Sequence, residues 1–259
     1  MRPNLNERQN EIWNAIQRDG EVKISDLKEK YAVTEMTIRR DLEKLEQIGL
    51  VRRTFGGAIP LTLDVSLKER DTVHTDEKIR VGQTAAELIL PGQAVFIDAG
   101  TTTLQIARHM RPDSSVTVVT NALNVASVLL DKGIHTIVAG GMLLEKTGSM
   151  VGPIAIGTLG SMAFDQVFLG TTGITVEHGF SNSNSFEAEL KRHAMRRSSC
   201  INIVTDASKF GERYLHSFAA LLDVHRIVTD QAPPPHIGEA AVSGGVELVV
   251  AAPEGGGAK

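Results

Sequence analysis

Val33-Thr34-Glu35-Met36-Thr37-Ile38-Arg39-Arg40-Asp41-Leu42-Glu43-Lys44-Leu45-Glu46-Gln47-Ile48-Gly49 decides how the first part of the chain folds. Ile38, Leu42, Leu45 and Ile48 recur at helical spacing, so one apolar stripe runs along a helix from Glu35 to Ile48. Thr34 is placed to cap its first turn, and Gly49 to end it. Glu35, Met36, Thr37, Arg39, Arg40 and Lys44 fall outside the stripe and face away from the core.

On the N-terminal side, Asn6 followed by Gln9 has the form of a capping box, and Ile12, Trp13 and Ile16 recur at helical spacing until Asp19-Gly20. A second short helix is expected over Ser25 to Tyr31, capped by Ser25 and followed by a tight break at Ala32-Val33. On the other side, Leu50-Val51-Arg52-Arg53-Thr54-Phe55-Gly56-Gly57-Ala58 reads as a two-stranded ribbon with cations near its turn. Short helix, tight turn, capped helix, glycine stop and basic ribbon form the order of a winged helix-turn-helix. In that motif the second helix of the pair meets base edges in the major groove and the wing meets phosphates. Thr34, Thr37, Arg39, Arg40, Lys44, Arg52 and Arg53 are the candidate DNA-contacting residues. The alternative, solvated charges balanced by Asp41, Glu43 and Glu46, does not account for the order of the elements.

The 259 residues are 42% hydrophobic, enough for one large domain beside a small one. A net charge of -4 gives no global sign of nucleic-acid binding, so that reading rests on local chemistry alone. One cysteine, Cys200, excludes a disulfide framework and a multi-cysteine zinc site, and is expected as a packed core residue. The polar N-terminus lacks a signal peptide, and no run approaches the ~18 apolar residues of a membrane span. A cytoplasmic protein with no membrane association is therefore expected. The domains are expected at 1–58 for the DNA-binding part, 59–76 for a linker, 77–251 for an α/β domain and 252–259 for a disordered tail.

Beyond the linker, apolar runs alternate with helical stretches. Ala94-Val95-Phe96-Ile97 ends in Asp98-Ala99-Gly100-Thr101-Thr102-Thr103, and Val116 to Val119 ends in Thr120-Asn121. His135 to Ala139 leads to Gly140-Gly141, Gln166 to Leu169 to Gly170-Thr171-Thr172-Gly173, and Ile201 to Val204 to Thr205-Asp206. Strands alternating with helices imply a mostly parallel sheet whose ligands bind at the strands' C-terminal ends. A glycine turn opening a helix presents N–H groups and hydroxyls to an anion. Asp98-Ala99-Gly100 is too poor in glycine for a dinucleotide site, and Glu145 stands where a P-loop needs its second glycine. The histidines show no metal-ligand pair, and Gly179 to Ser183 lacks the closing glycine of a nucleophile elbow. No cofactor and no metal are expected.

The string Thr37-Ile38-Arg39-Arg40-Asp41-Leu42 followed by Gly56-Gly57-Ala58 resembles the DNA-binding domain of the DeoR-type family of bacterial transcription regulators. Asp98 to Thr103, Thr120-Asn121-Ala122-Leu123, Gly140-Gly141, Gly152, Gly170 to Gly173, Glu187 to Arg192 and Asp206 to Gly211 are similar to that family's sensor domain. The resemblance implies an α/β sensor fold like ribose-5-phosphate isomerase and glucosamine-6-phosphate deaminase. It also implies a repressor of sugar or carbon metabolism controlled by a phosphorylated sugar, with no enzymatic turnover. Asp98, Gly100, Thr101, Thr102, Thr103, Thr120, Asn121, Gly140 and Gly141 are then the effector-binding rim. Lys191 and Lys209 would serve as its cations, and Glu187 would orient Lys191 or accept a sugar hydroxyl. The competing implication is a phosphosugar isomerase or deaminase with a DNA-binding appendage, against which the DNA module speaks. The partners expected are duplex DNA, the phosphorylated metabolite and further copies of the chain, as a dimer or tetramer. His193 departs from the family pattern, and Ala232 to Pro235 is expected to be peripheral.

Overall fold

A computed structural model describes residues 5–19, 21–48, 50–54, 56–60, 67, 71–112 and 115–252, which divide into two compact units between residues 63 and 64. In the first unit the Gln9 N–H donates to Asn6 Oδ1 at 2.8 Å and the Asn6 N–H to Gln9 Oε1 at 3.2 Å. That reciprocal cap opens α1 (Glu7–Asp19), whose Ile12 and Ile16 are fully buried. β1 (Val22–Lys23) follows, then α2 (Ile24–Tyr31). Ser25, expected as the cap of α2, instead lies inside it and donates to Asp26. The Ile24 N–H is satisfied by the Gly56 carbonyl at 2.8 Å, so this helix start needs no side-chain cap.

Thr34 caps α3 (Glu35–Gln47) by accepting from the Thr37 N–H at 3.3 Å, and Ile38, Leu42 and Leu45 are fully buried. The expected cap at Gly49 lies outside the described residues. β2 (Val51–Arg53) and β3 (Gly57–Pro60) form the wing, and β1 adds a third strand in the order β1-β3-β2. β1 is too short to show a period, so the ribbon read as two-stranded. A Cβ on Gly57 would stand 1.8 Å from the Val22 carbonyl oxygen, which is why glycine occupies the crossing. β3 runs to Pro60, past the expected boundary at 58.

In the second unit the chain runs α4 (Thr75–Glu87), β4 (Ala94–Ile97), α5 (Thr101–His109), β5 (Thr117–Thr120), α6 (Leu123–Asp131), β6 (Thr136–Val138), the hairpin β7 (Met142–Leu144) and β8 (Ser149–Val151), α7 (Pro153–Gly160) and β9 (Phe164–Gly170). It continues through β10 (Gly173–Thr175), β11 (Gly179–Asn182), α8 (Ser185–Arg196), β12 (Ser198–Thr205), β13 (His216–Ala219), β14 (Arg226–Thr229), α9 (Pro235–Ser243) and β15 (Glu247–Val250). Seven strands pair in parallel in the order β15-β14-β12-β9-β4-β5-β6. Two hydrophobic clusters cover its faces, one with Val81, Ile106 and Leu129 from α4, α5 and α6, the other with Leu159, Leu190 and Ile237 from α7, α8 and α9. Among the described residues no helix is long and apolar enough to cross a membrane.

Two expectations change here. The proline run is peripheral only in part: Ala232 and Pro235 are exposed, but Pro233 is buried and Pro235 opens α9, where a missing N–H costs nothing. Cys200 is half-buried within β12 rather than packed in the core, its thiol facing Asn202 Oδ1 at 3.8 Å. The expected tail lies outside the described residues from 253 onward, while Ala251 is buried and bonds back to Thr229.

Parallel pairing puts every strand's C-terminal end on one rim, where Asp98, Asn121, Gly140, Thr171, Asp206 and Asp230 begin the following turns. Gly141 has φ +111°, and a Cβ there would stand 2.6 Å from the Val151 carbonyl oxygen and 3.2 Å from Ala155 Cβ. Gly141→Ala should therefore destabilise the second unit by about 1–3 kcal/mol in urea denaturation. Unchanged stability would show that the hairpin does not need this close approach.

Candidate functional site

In the first unit α3 presents Thr37, Arg40 and Lys44 on one face outside its buried stripe, since their spacings of three and four bring them into line. The Thr37 hydroxyl lies 2.9 Å from that of Thr34, at the first turn. Arg39 pairs with Glu35 one turn back at 2.6 Å, both exposed. Arg40 is exposed and has no ion-pair partner among the described residues. Asp41, on the list of balancing surface charges, is instead buried, holding Arg8 Nε at 2.7 Å and Gln9 Nε2 at 2.9 Å. That contact locks α3 against α1. Glu46 accepts both the Arg53 backbone N–H at 2.8 Å and its guanidinium at 2.7 Å, so the wing is fastened to α3. Arg52 pairs with Ile59 across the wing; its side chain lies outside those described.

In the second unit Asp98 and Lys191 form an ion pair at 2.7 Å, each side chain only 3% exposed. The Lys191 ammonium also donates to the Gly170 carbonyl and lies 5.2 Å from the Phe218 ring centroid. Burial pushes the Asp98 carboxyl above the usual carboxylate range, against the pull of Lys191 and with the push of Glu187. Lys191 is thus not a solvated helix face. Its carboxylate partner is Asp98 and not Glu187, which accepts from Ser149 Oγ at 2.8 Å and Asn182 Nδ2 at 3.3 Å.

Asn121 joins the neighbouring strand ends: its Oδ1 accepts from the Ala99 N–H at 3.1 Å and its Nδ2 donates to the Met150 carbonyl at 3.3 Å. Thr120 Oγ1 accepts from the Ala122 N–H at 3.1 Å. Thr101, Thr102 and Thr103 are buried in the first turn of α5, with Gly100 at the cap position and no side chain bonded there. The first amides of that helix have no carbonyl of their own to meet, so they and the hydroxyls of Thr101 and Thr102 offer donors to an anion, while the Thr103 hydroxyl donates to the Gly100 carbonyl at 3.1 Å. Gly140 and Gly141 turn the chain from β6 into the β7–β8 hairpin, both with positive φ. Lys209 stands apart from this group. It follows β12, two strands from β4 and about 10 Å away by sheet spacing, and donates to Ser208 Oγ at 2.9 Å. Thr147, Ser149 and Asn182 were missed as candidates, because the turn that carries Thr147 and the short strands that carry Ser149 and Asn182 have no periodic signal.

Residues 8–62 match the DeoR-like helix-turn-helix domain and residues 73–231 the DeoR C terminal sensor domain. The chain belongs to the DeoR family. Like the other DeoR proteins it is a DNA-binding transcription regulator, with an N-terminal helix-turn-helix unit and an α/β sensor unit. It is 33% identical to the glycerol-3-phosphate regulon repressor of Escherichia coli (strain K12) over 88% of this chain and 92% of that protein. It is 32% identical to the HTH-type transcriptional regulator GlpR of Haloferax volcanii over 94% of this chain and 96% of that protein. Ribose 5-phosphate isomerase A of Methanocaldococcus jannaschii superposes at a TM-score of 0.40 and 12% identity, covering 53% of this chain and 55% of that one, too loosely to carry an argument. Thr37, Arg40, Lys44 and the wing thus lie within the helix-turn-helix domain of a DeoR regulator, and the strand-end rim within its sensor domain.

Proposed function

We propose that this DeoR regulator represses genes of sugar metabolism and releases its operator when a phosphorylated sugar binds the strand-end rim. The relatives named as regulon regulators support the genetic role. The observation that carries the ligand is the N-terminus of α5, which has no side-chain cap among the described residues and carries the Thr101 and Thr102 hydroxyls in its first turn, with the Asp98–Lys191 pair at the end of the preceding strand. The phosphate dianion takes the helix amides and hydroxyls, where the positive end of the helix dipole lies. Lys191 balances Asp98, which limits the repulsion of an anion bound at the neighbouring helix end. Lys209 reaches the ligand only across β9, so its contribution is the smaller one. The protein acts as a homo-oligomer, because one small helix-turn-helix unit makes few phosphate contacts and a second half-site multiplies them. The ligand is sensed without turnover.

Isothermal calorimetry of the full chain with glucose 6-phosphate, fructose 6-phosphate, ribose 5-phosphate, glycerol 3-phosphate and their unphosphorylated parents tests this. At least one phosphate ester should bind, its parent more weakly by tenfold or more, and Thr102→Val should narrow that gap. Parents binding as well as the esters would refute the anion site, and steady conversion of a bound ester would favour an isomerase or deaminase.

A further inference from the structure

The rim holds a second polar arm that the anion site leaves unused. On α8, Glu187 and Lys191 are four residues apart and so lie side by side on one face. Lys191 reaches Asp98, while Glu187 reaches Ser149 and Asn182. Ser149 belongs to the same rim, because β8 is zipped onto the turn after β5: the Met150 N–H donates to the Asn121 carbonyl at 2.7 Å, and Ala122 bridges Ser149. Thr147 and Ser149 share a hydrogen bond of 2.7 Å. All of these side chains are buried.

One atom of the arm lacks a partner. Asn182 is 5% exposed, and its Oδ1 is buried with no hydrogen bond among the described residues. The amide cannot turn round to relieve this, since that would set its carbonyl oxygen against the Glu187 carboxylate in place of the NH2 group. A buried acceptor fixed in this way is costly unless a donor meets it. The Glu187 carboxylate, which has no cation paired with it among the described residues, makes this side of the rim unsuited to a phosphate group and suited to a neutral donor. A ligand with its phosphate at the N-terminus of α5 would present its hydroxyl groups here.

We propose that Asn182 is a ligand-contacting residue that selects the effector by accepting a hydrogen bond from one of its hydroxyl groups, held in place by Glu187 and Ser149. The proposal rests on the reading of the rim as a phosphosugar site. It makes the arm a discriminator among sugars and leaves the recognition of phosphate to α5. A site built to bond a hydroxyl rejects the analogue that lacks it, because its own buried group is then left unpaired.

The test takes the tightest-binding sugar phosphate among glucose 6-phosphate, fructose 6-phosphate and ribose 5-phosphate, together with its singly deoxygenated analogues, in calorimetry on the full-length protein. In the unmodified protein one deoxy analogue should bind roughly tenfold or more weakly than its parent. In Asn182→Ala that same analogue should bind within about twofold of the parent, while the gap between ester and unphosphorylated sugar persists. Asn182→Ser, which keeps a small polar side chain, serves if the alanine variant does not fold. Discrimination left intact in the folded variant, or no deoxy analogue distinguished from its parent, overturns the hydroxyl arm and leaves the phosphate site standing. If none of the esters binds, the arm falls with the phosphosugar reading itself.

Discussion

Lys191→Met is expected to cost about 3–5 kcal/mol of stability, because it strands the Asp98 carboxylate in a site where both side chains are 3% exposed. For a domain of this size that is a fall in melting temperature of roughly 6–20 °C. The cost is not the worth of the ion pair. It is the penalty of burying one charge without its partner, so Asp98→Leu combined with Lys191→Met should recover much of the loss. A thermal melt of the single and double variants followed by circular dichroism reads both. A single variant that melts within a degree or two of the unmodified protein would mean that the pair is solvated and that Lys191 is available elsewhere.

The second large effect lies in the DNA-binding unit. Arg40→Ala should weaken binding to the operator by about 1–3 kcal/mol, which is roughly 5- to 150-fold, and should relax base preference. Arg39 should matter less, because it must first leave Glu35, and Arg53 must likewise leave Glu46. Such exposed pairs are worth about 0–1 kcal/mol, so they reduce each arginine's gain on DNA without cancelling it. Replacing Arg53 should weaken binding to all sequences alike and lower the salt slope by about one unit, as the loss of a phosphate contact does. Electrophoretic titration on the protein's own promoter region and on unrelated duplex separates the two. If Arg40→Ala weakens both duplexes equally, it contacts phosphate and reads no base.

The recognition helix was legible because its signals are local. Thr34, the stripe of Ile38, Leu42 and Leu45, and the basic ribbon all lie within one short stretch, and propensity and packing agree there. Apart from β14 and β15, which went unread, the parallel strands were legible as apolar runs ending in small and polar residues, the pattern of strands buried on both faces. The antiparallel additions were not. β7, β8, β10, β11 and β13 are three or four residues long and carry residues such as Ser149, Asn182 and Ser217, too short and too polar to show a period. The candidate site divides the same way. Asp98, Thr101 to Thr103 and Asn121 stand next to their strands, so topology alone places them on the rim. The Lys191–Asp98 pair joins two motifs far apart in the chain, and Asp41 finds Arg8 on another helix, so neither partnership has a local signature. A charge in a helical pattern looks solvated until its tertiary partner is known.

Fluorescence anisotropy of labelled promoter DNA, titrated with the full-length protein at fixed salt with and without each sugar phosphate, tests regulation by the rim most directly. A phosphorylated sugar should raise the dissociation constant for DNA by about 5- to 150-fold, the range of an ordinary coupling between two sites. Its unphosphorylated parent and inorganic phosphate should leave that constant unchanged, and Thr102→Val should blunt the response while sparing DNA binding without ligand. DNA affinity that is the same with every ester, or that falls equally with the unphosphorylated sugars, would contradict control by a phosphosugar at this rim.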